Sequence, residues 1–136
     1  MSLFAECSDE ELRRIAGIST PVERPAGSIL TQVGSSGDSF FFIVDGRVSV
    51  ETPAGFGDAL HSGDFFGEMS LIDGEPRSAT VTALTDVRLL LVHRTHFWRL
   101  LDDAPDLLRR MLMVLSRRVR RLEHAANALR HHINQT

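Results

Sequence analysis

Short apolar runs separated by turn residues fill the middle of the chain, from about residue 18 to residue 92. In the run Arg47–Glu51, Val48 and Val50 alternate with polar residues, which is the pattern of a half-buried strand. The dipeptide Asp45-Gly46 joins this run to the one before it and predicts a tight hairpin. About eight such strands, at spacings of roughly ten residues, favour a jelly roll or small barrel. The clearest strand patterns lie at 28–32, 39–44, 47–51, 78–84 and 87–92.

Helical patterns flank this region on both sides. Near the N-terminus, Ser8 and Glu11 have the spacing of a capping box, which predicts a short helix that Gly17 is placed to end. After the strand region, the pattern predicts a short helix over 93–101. A long helix then follows, with Pro105 in its first turn, where proline is tolerated.

The long helix carries an apolar seam with heptad spacing. Its apolar residues follow one another at alternating steps of four and three. This spacing favours pairing with a second copy of the chain, and the alternative is that the helix packs against its own roll. The seam residues are Leu108, Leu112, Leu115, Val119, Leu122, Ala126, Leu129 and Ile133.

Composition narrows the class of protein. A chain of 136 residues with 43% hydrophobic and 24% charged residues is typical of one soluble globular domain. The net charge of −3 excludes a globally basic nucleic-acid binder. Cys7 is the only cysteine, which excludes an internal disulfide and indicates a reducing compartment. Because the sequence shows neither a leader peptide nor an apolar run long enough to cross a bilayer, we expect a cytoplasmic protein that does not enter the membrane.

The six histidines do not predict a metal site. His93 and His96 are three residues apart, His131 and His132 are adjacent, and His61 stands alone. None of them has a second ligand at metal-binding spacing on the predicted roll. No nucleophile elbow is present either. We therefore expect no native metal, no catalytic residue and no enzymatic activity.

The stretch 65–81, FFGEMSLIDGEPRSATV, combines groups that suit a phosphate with a sugar attached. Gly67 lets a ligand approach the backbone closely, and a helical turn beginning near Glu68 offers unpaired backbone N–H groups to an anion. A carboxylate repels a bare phosphate, but it accepts hydrogen bonds from a neighbouring hydroxyl. Arg77 supplies a fork of donors that matches two phosphate oxygens, and Ser78 adds a hydroxyl. Each residue alone is compatible with an ordinary surface, but together they predict a binding site.

This stretch resembles the phosphate-binding cassette of cyclic nucleotide-binding domains, as in bacterial cAMP receptor proteins and protein kinase regulatory subunits. The family pattern F-G-E, a hydrophobic residue, a small residue and L, then P-R-S-A-T-V, matches from Phe66 to Val81. The resemblance extends to Gly37-Asp38, to Asp45-Gly46-Arg47-Val48, to Gly63-Asp64-Phe65 and to the closing helices. It implies an α+β, mainly β fold: an eight-stranded β-roll or jelly roll with a short N-terminal helix and two C-terminal helices, the last one long.

The same resemblance implies one cyclic nucleotide-binding domain over the whole chain. Its N-terminal helix would occupy residues 1–17, its β-roll 18–92, and its C-terminal helices 93–136. The cassette at 65–81 would lie within the roll.

The resemblance also assigns roles to single residues. Glu68 would bind the ribose 2′-hydroxyl, and Arg77 would bind the cyclic phosphate. Val50 would lie against the base, while Leu71 and Ile72 would form the apolar contact that senses movement of the helices. The other ligand-binding residues that it implies are Gly67, Met69, Ser70, Ser78 and Ala79.

The expected contact to the base departs from the family pattern. Bacterial cAMP receptors hold adenine with two hydroxyl residues of the long helix, and Ala125 and Ala126 stand at the corresponding positions. Arg121 or Asn127 could replace those contacts. Ser78 does not distinguish the two common cyclic nucleotides, and we expect cAMP, with cGMP as the alternative.

The sequence therefore predicts a non-catalytic regulatory domain that couples cyclic nucleotide binding to movement of its C-terminal helices. One alternative is a structural or dimerisation module of the same fold that does not respond to nucleotide. Another is a regulatory fragment of a larger enzyme, channel or transcription factor. The partner would be a second copy, paired through the seam from Leu108 to Ile133, or an effector domain outside this sequence. Since no helix-turn-helix follows the long helix, direct DNA binding is not expected.

Overall fold

The computed structural model describes residues 3–55 and 57–134, without the side chain of Phe4. A 3₁₀ turn at Phe4–Glu6 precedes four helices and eight strands. In chain order they are α1 (Asp9–Ile18), β1 (Ser19–Arg24), β2 (Ile29–Thr31), β3 (Ser39–Asp45), β4 (Arg47–Glu51), β5 (Gly57–His61), β6 (Phe65–Phe66), α2 (Met69–Asp73), β7 (Thr80–Ala83), β8 (Val87–His93), α3 (Arg94–Asp103) and α4 (Pro105–Asn134).

Helix α1 begins at the predicted capping box. The Ser8 hydroxyl accepts from the backbone N–H of Glu11 at 3.1 Å, and the Glu11 carboxylate accepts from the backbone N–H of Ser8 at 3.0 Å. The prediction that Gly17 ends the helix is wrong, since α1 continues to Ile18. The helix ends at Ser19, where the backbone turns extended and enters β1 directly.

The strands form two four-stranded antiparallel sheets, which confirms the predicted roll. One sheet has the order β1-β8-β3-β6 and the other has the order β2-β7-β4-β5. Among the described strands, β4 and β5 are the only consecutive pair in one sheet, because every other connection crosses from one sheet to the other. This crossing brings distant parts of the sequence together at the cassette.

The predicted hairpin at Asp45-Gly46 is wrong. The strands on either side of it belong to different sheets, so the dipeptide makes a corner between the sheets. Gly46 has a φ of 101°, and a Cβ there would lie 2.5 Å from the backbone oxygen of Asp86. The chain does change direction at this dipeptide, but which strands pair is decided by the packing of both sheets.

Two apolar clusters hold the fold together, and β3 contributes to both. Phe40 and Phe42 point into a cluster between the first sheet and the helices, while Phe41 and Ile43 point into the cluster between the two sheets. A strand covered on both faces shows a continuous apolar run rather than alternation, as the run 40–44 does. The helix-side cluster also contains Ile15, Phe65, Leu71, Phe97, Leu100, Leu101, Leu107 and Met111.

The long helix α4 is buried at its start and exposed further along. Leu107 and Met111 are buried in the helix-side cluster, and Leu108 and Leu115 pack partly against it. The seam residues Leu112, Val119, Leu122, Leu129 and Ile133 are 49 to 60% exposed. Pairing of the seam with a second copy therefore stays a prediction. No helix in the described ranges is both long enough and apolar enough to span a bilayer.

Candidate ligand-binding site

The cassette is a sharp turn between the end of one sheet and a short helix. Strand β6 ends at Phe66, and Gly67 follows with a φ of 88°, a conformation that glycine adopts without strain. Glu68 then precedes α2 as its N-cap residue. Gly74, with a φ of 72°, ends this short helix and turns the chain toward Arg77. Glu68 and Arg77 therefore belong to one compact segment.

Arg77 is buried and bound to backbone oxygens. Its Nη1 donates to the oxygen of Gly67 and its Nη2 to the oxygen of Ser39, both at 2.7 Å. Only 8% of the residue is exposed. Burial lowers the pKa of Arg77, and the nearby Asp38 and Glu68 act against that effect. Because an arginine is effectively always protonated near neutral pH, the side chain remains a cation.

Two glycines leave room for the Arg77 side chain. A Cβ at Gly37 would lie 2.7 Å from the Cζ of Arg77, and a Cβ at Gly67 would lie 2.8 Å from its Nη1. The backbone of Arg77 is fixed as well, because it donates to Ser35 and accepts from Gly34, both at 2.8 Å. The position of the guanidinium is therefore set by the roll alone.

Glu68 is buried too, but its partner comes from the other end of the chain. The residue is 4% exposed, and its Oε1 lies 3.5 Å from the Nη1 of Arg118 on α4. Arg118 also donates from Nη2 to the backbone oxygen of Phe65 at 2.6 Å, and its guanidinium lies 4.5 Å from the centre of the Phe65 ring. Burial raises the pKa of Glu68, while Arg118, the backbone and Arg77 oppose that rise in decreasing order.

Arg118 is the site residue that sequence reasoning missed. It follows Met111 by seven residues and Leu107 by eleven, and both of those residues are buried. Helical positions at these spacings lie on one face, so the phase of α4 distinguishes Arg118 from the arginines around it. The sequence therefore contains a signal for this residue, namely its position relative to Leu107 and Met111.

A second arginine fastens α4 to the roll one turn further on. Arg121 donates to the carboxylate of Asp58 on β5 at 2.9 Å. It was predicted as a base contact, and the structure places it at this exposed ion pair. Asn127 was predicted for the same role, but it is exposed and its side chain makes no hydrogen bond to a described residue. In this arrangement of α4, Arg118 contacts the cassette and Asn127 does not.

The remaining predicted residues surround the loop to different degrees. Ser70 is buried beneath it, whereas Met69 is half-exposed. The Ser78 hydroxyl donates to the Met69 sulfur at 3.5 Å, so these two residues form one edge of the site. Ala79 is half-buried, and its oxygen accepts a hydrogen bond of 3.4 Å from Thr31.

Val50 and Leu71 connect the site to the two cores. Val50 on β4 is opposite Val81 on β7 and packs partly against the cluster between the sheets. Leu71 on α2 lies in the helix-side cluster. Ile72, in contrast, is 49% exposed, so Leu71 alone joins α2 to the helix-side cluster. Leu71 therefore packs α2 into the same cluster as residues of α3 and α4.

The chemistry of the site is that of binding. A buried cation next to a buried carboxylate suits a ligand that carries an anion and a neighbouring hydroxyl. Across residues 3–55 and 57–134, no three His, Cys, Asp or Glu side chains are grouped so that they could hold a metal ion.

The fold and the cassette define the class of this protein. The model of the cyclic nucleotide-binding domain family matches residues 21–104. The chain belongs to this family, which confirms the resemblance that the cassette sequence suggested.

The chain is similar to several proteins of known kind. It is 49% identical over 83 residues to a cyclic nucleotide-gated potassium channel of Mesorhizobium japonicum, a match that covers 61% of this chain and 23% of the channel. It is 32% identical over 106 residues to the CRP-like cAMP-activated global transcriptional regulator of Mycobacterium tuberculosis, covering 74% of this chain and 47% of the regulator. The chain thus spans less than half the length of these relatives.

A solved structure shows the same architecture. The crystal structure of Thermus thermophilus catabolite activator protein superimposes with a TM-score of 0.78 at 26% sequence identity, covering 93% of this chain and 62% of that one. The fold class predicted from the strand pattern is confirmed.

Proposed function

We propose that this domain binds a cyclic nucleotide, cAMP in preference to cGMP, and that binding changes the contacts that hold α4. The observation that carries the proposal is the pair of buried charges beside Gly67. Arg77 donates to the backbone oxygen of Gly67, and Glu68 directly follows Gly67 in the chain. A cyclic phosphate fused to a ribose likewise presents an anion and a neighbouring hydroxyl.

Arg77 would bind the phosphate. Its two donors now bind neutral carbonyl oxygens of Gly67 and Ser39. Charged phosphate oxygens are the stronger acceptors, because hydrogen bonds between ionised groups are shorter and roughly twice as strong as neutral ones. Gly67, Met69, Ser70, Ser78 and Ala79 would complete the cradle, and Val50 would face the base.

Glu68 would bind the ribose hydroxyl, and this step couples the ligand to α4. The carboxylate now has Arg118 as its cationic partner. A hydroxyl that donates to Glu68 competes with that contact, so the filled and empty sites favour different positions for Arg118. A ligand shifts a conformational equilibrium only through such a difference in contacts.

The preference for cAMP rests on similarity rather than on a contact to the base. The relatives that match most of this chain include cAMP-dependent protein kinase regulatory subunits and cAMP-activated transcriptional regulators. Asn127 stays a predicted base contact that would require α4 to move.

We further propose a regulatory rather than catalytic role in the cytoplasm, with one domain over residues 1–136. The exposed seam of α4 supports pairing with a second copy. An effector domain outside this sequence is the other candidate for the same surface.

Calorimetric titration with cAMP, cGMP and 5′-AMP tests the proposal. We expect saturable one-site binding of cAMP, weaker binding of cGMP and much weaker binding of 5′-AMP, whose phosphate is not cyclic. At 100 times Kd, the ligand should stabilise the fold by about 2.7 kcal/mol. Absence of heat and of thermal stabilisation at millimolar cAMP would contradict the proposal and favour a structural module.

A further inference from the structure

The methionines in the described part of the chain differ in how much of each reaches solvent. Met69 is 50% exposed and Met113 is 48% exposed, whereas Met111 is only 2% exposed. A methionine thioether needs no ionisation before a peroxide oxidises it, so access to solvent decides which sulfur reacts. We therefore expect Met69 and Met113 to react at similar rates and Met111 to be protected.

Met69 differs from Met113 in its position, because it is the first residue of α2 in the cassette. The Ser78 hydroxyl donates to the Met69 sulfur at 3.5 Å. A thioether is a weak acceptor, so a stronger acceptor can take this hydroxyl from it. In the function that we propose, that acceptor is the phosphate of the ligand.

Backbone donors lie next to this sulfur as well. Leu71 and Ile72 both donate to the backbone oxygen of Glu68, at 3.0 and 3.1 Å, and these are the first backbone hydrogen bonds of α2. The N–H groups of Met69 and Ser70 precede them and take no part in the bonding of the helix itself. A new acceptor on the Met69 side chain would therefore arise beside several donors that suit an anion.

We propose that Met69 is a site of reversible oxidation, and that its sulfoxide weakens binding of the cyclic nucleotide. This inference rests on the proposed function. The oxidant is a peroxide: the sulfur lone pair attacks one peroxide oxygen, the O–O bond breaks, and hydrogen peroxide leaves as water. The sulfur loses two electrons, and a dithiol can return them through methionine sulfoxide reductases.

The sulfoxide opposes the phosphate in two ways. Its oxygen is a stronger acceptor than the thioether, so it holds the Ser78 hydroxyl that the phosphate would otherwise bind. It also carries a partial negative charge at the edge of an anion site. We expect roughly tenfold weaker binding of cAMP, the equivalent of one hydrogen bond to a charged group. Because Arg77 is held by other contacts, binding should weaken without disappearing.

Cys7 is the other sulfur that a peroxide could oxidise. Burial raises the pKa of its thiol, so little of the reactive thiolate is present near neutral pH. Its described hydrogen bonds are with the backbone oxygen of Leu3 and with the side chain of Arg110, away from the cassette. Oxidation of Cys7 should therefore leave the affinity for cAMP unchanged.

Treatment of the full chain with hydrogen peroxide tests the proposal. Peptide mass spectrometry measures the sulfoxide at each methionine, and calorimetry measures the affinity for cAMP before and after treatment. Wild type and the matched control Met113→Leu should lose affinity by the same factor, and Met69→Leu should lose none. The factor compares each variant with itself, so an effect of the substitution on binding cancels. Both classes of methionine sulfoxide reductase, one for each epimer, should restore the affinity together with a dithiol.

The rate of oxidation gives a second measurement that does not use the affinity of the oxidised chain. Saturating cAMP should slow the oxidation of Met69, because the ligand covers that edge of the site, and should leave the rate at Met113 unchanged. An unchanged rate at Met69 while cAMP is bound, or equal protection of both methionines, would overturn the inference.

The outcomes of the affinity measurement separate this inference from the proposed function. Full affinity of wild type that carries the Met69 sulfoxide would overturn the inference alone. An equal loss in oxidised Met69→Leu would do the same, because it assigns the effect to another residue. If untreated wild type does not bind cAMP, the proposed function fails, and this inference fails with it.

Discussion

The two buried charges of the cassette are held by different regions of the molecule. Arg77 binds carbonyl oxygens of the roll, and the glycines that make room for it also belong to the roll. Glu68 instead depends on Arg118, which comes from α4 fifty residues further along the chain. The half of the site suited to phosphate is therefore complete without the helix, whereas the half suited to a sugar is tied to the position of the helix. In the function that we propose, binding of the phosphate and coupling to α4 therefore depend on different residues.

The largest effect on binding is expected from Arg77→Ala. It removes the guanidinium that binds the oxygens of Gly67 and Ser39. We expect a loss of roughly 3 kcal/mol or more in binding free energy, because the phosphate is left unpaired. Calorimetry with cAMP measures the loss, and circular dichroism confirms that the variant is folded. Arg88→Ala is the matched control, because Arg88 makes an exposed ion pair with Glu23 and should not affect binding. Equal affinities of Arg77→Ala and wild type for cAMP would contradict the prediction that Arg77 binds the phosphate.

Removing the contact between Arg118 of α4 and Glu68 should lower the free energy of unfolding. Arg118→Gln leaves a buried Glu68 without its nearest cation, so the free energy of unfolding at pH 7 should fall by roughly 2 to 3 kcal/mol. Urea unfolding measures this change. Arg117→Gln is the control, because Arg117 is exposed on α4 and makes no ion pair with a described residue. If both variants lose the same amount, the Arg118 contact has no special role.

The pH dependence of the free energy of unfolding should reveal the raised pKa of Glu68. Burial raises the pKa of Glu68 above its ordinary value of 4.5, so the folded chain holds this proton more tightly than the unfolded chain does. The contribution of Glu68 to stability should therefore increase as the pH falls through the raised pKa. The comparison is between wild type and Glu68→Gln, unfolded in urea at several pH values between 5 and 7.5. A difference between the two proteins that does not vary with pH would mean that Arg118 cancels the effect of burial.

The smallest effect is expected far from the site. Ser8→Ala removes half of the capping box of α1 and should lower the free energy of unfolding by about 1 kcal/mol. Because Ser8 touches neither half of the site, the affinity for cAMP should not change. A change in affinity would indicate that stability alone, rather than the contacts of the cassette, determines binding.

The sequence was sufficient to recognise the cassette, but it was not sufficient to predict the contact from Arg118. Gly67, Glu68 and Arg77 lie close together in the chain, so their types and spacing predict their common role. The contact from Arg118 depends on the phase of a helix that begins at Pro105, well after the cassette ends at Val81, and neighbouring arginines have the same local appearance. The prediction of a hairpin at Asp45-Gly46 was wrong for a related reason, because strand pairing is decided by residues on both sheets.

The division between phosphate and sugar is tested most directly by titrating Glu68→Ala and wild type with cAMP and with 2′-deoxy-cAMP. Each ratio of affinities compares two ligands on one protein, so a general loss of stability cancels. We predict that wild type prefers cAMP and that Glu68→Ala binds the two ligands about equally, because the deleted carboxylate is the acceptor for the missing hydroxyl. The opposite result, the same preference for cAMP in both proteins, would show that Glu68 does not recognise the sugar.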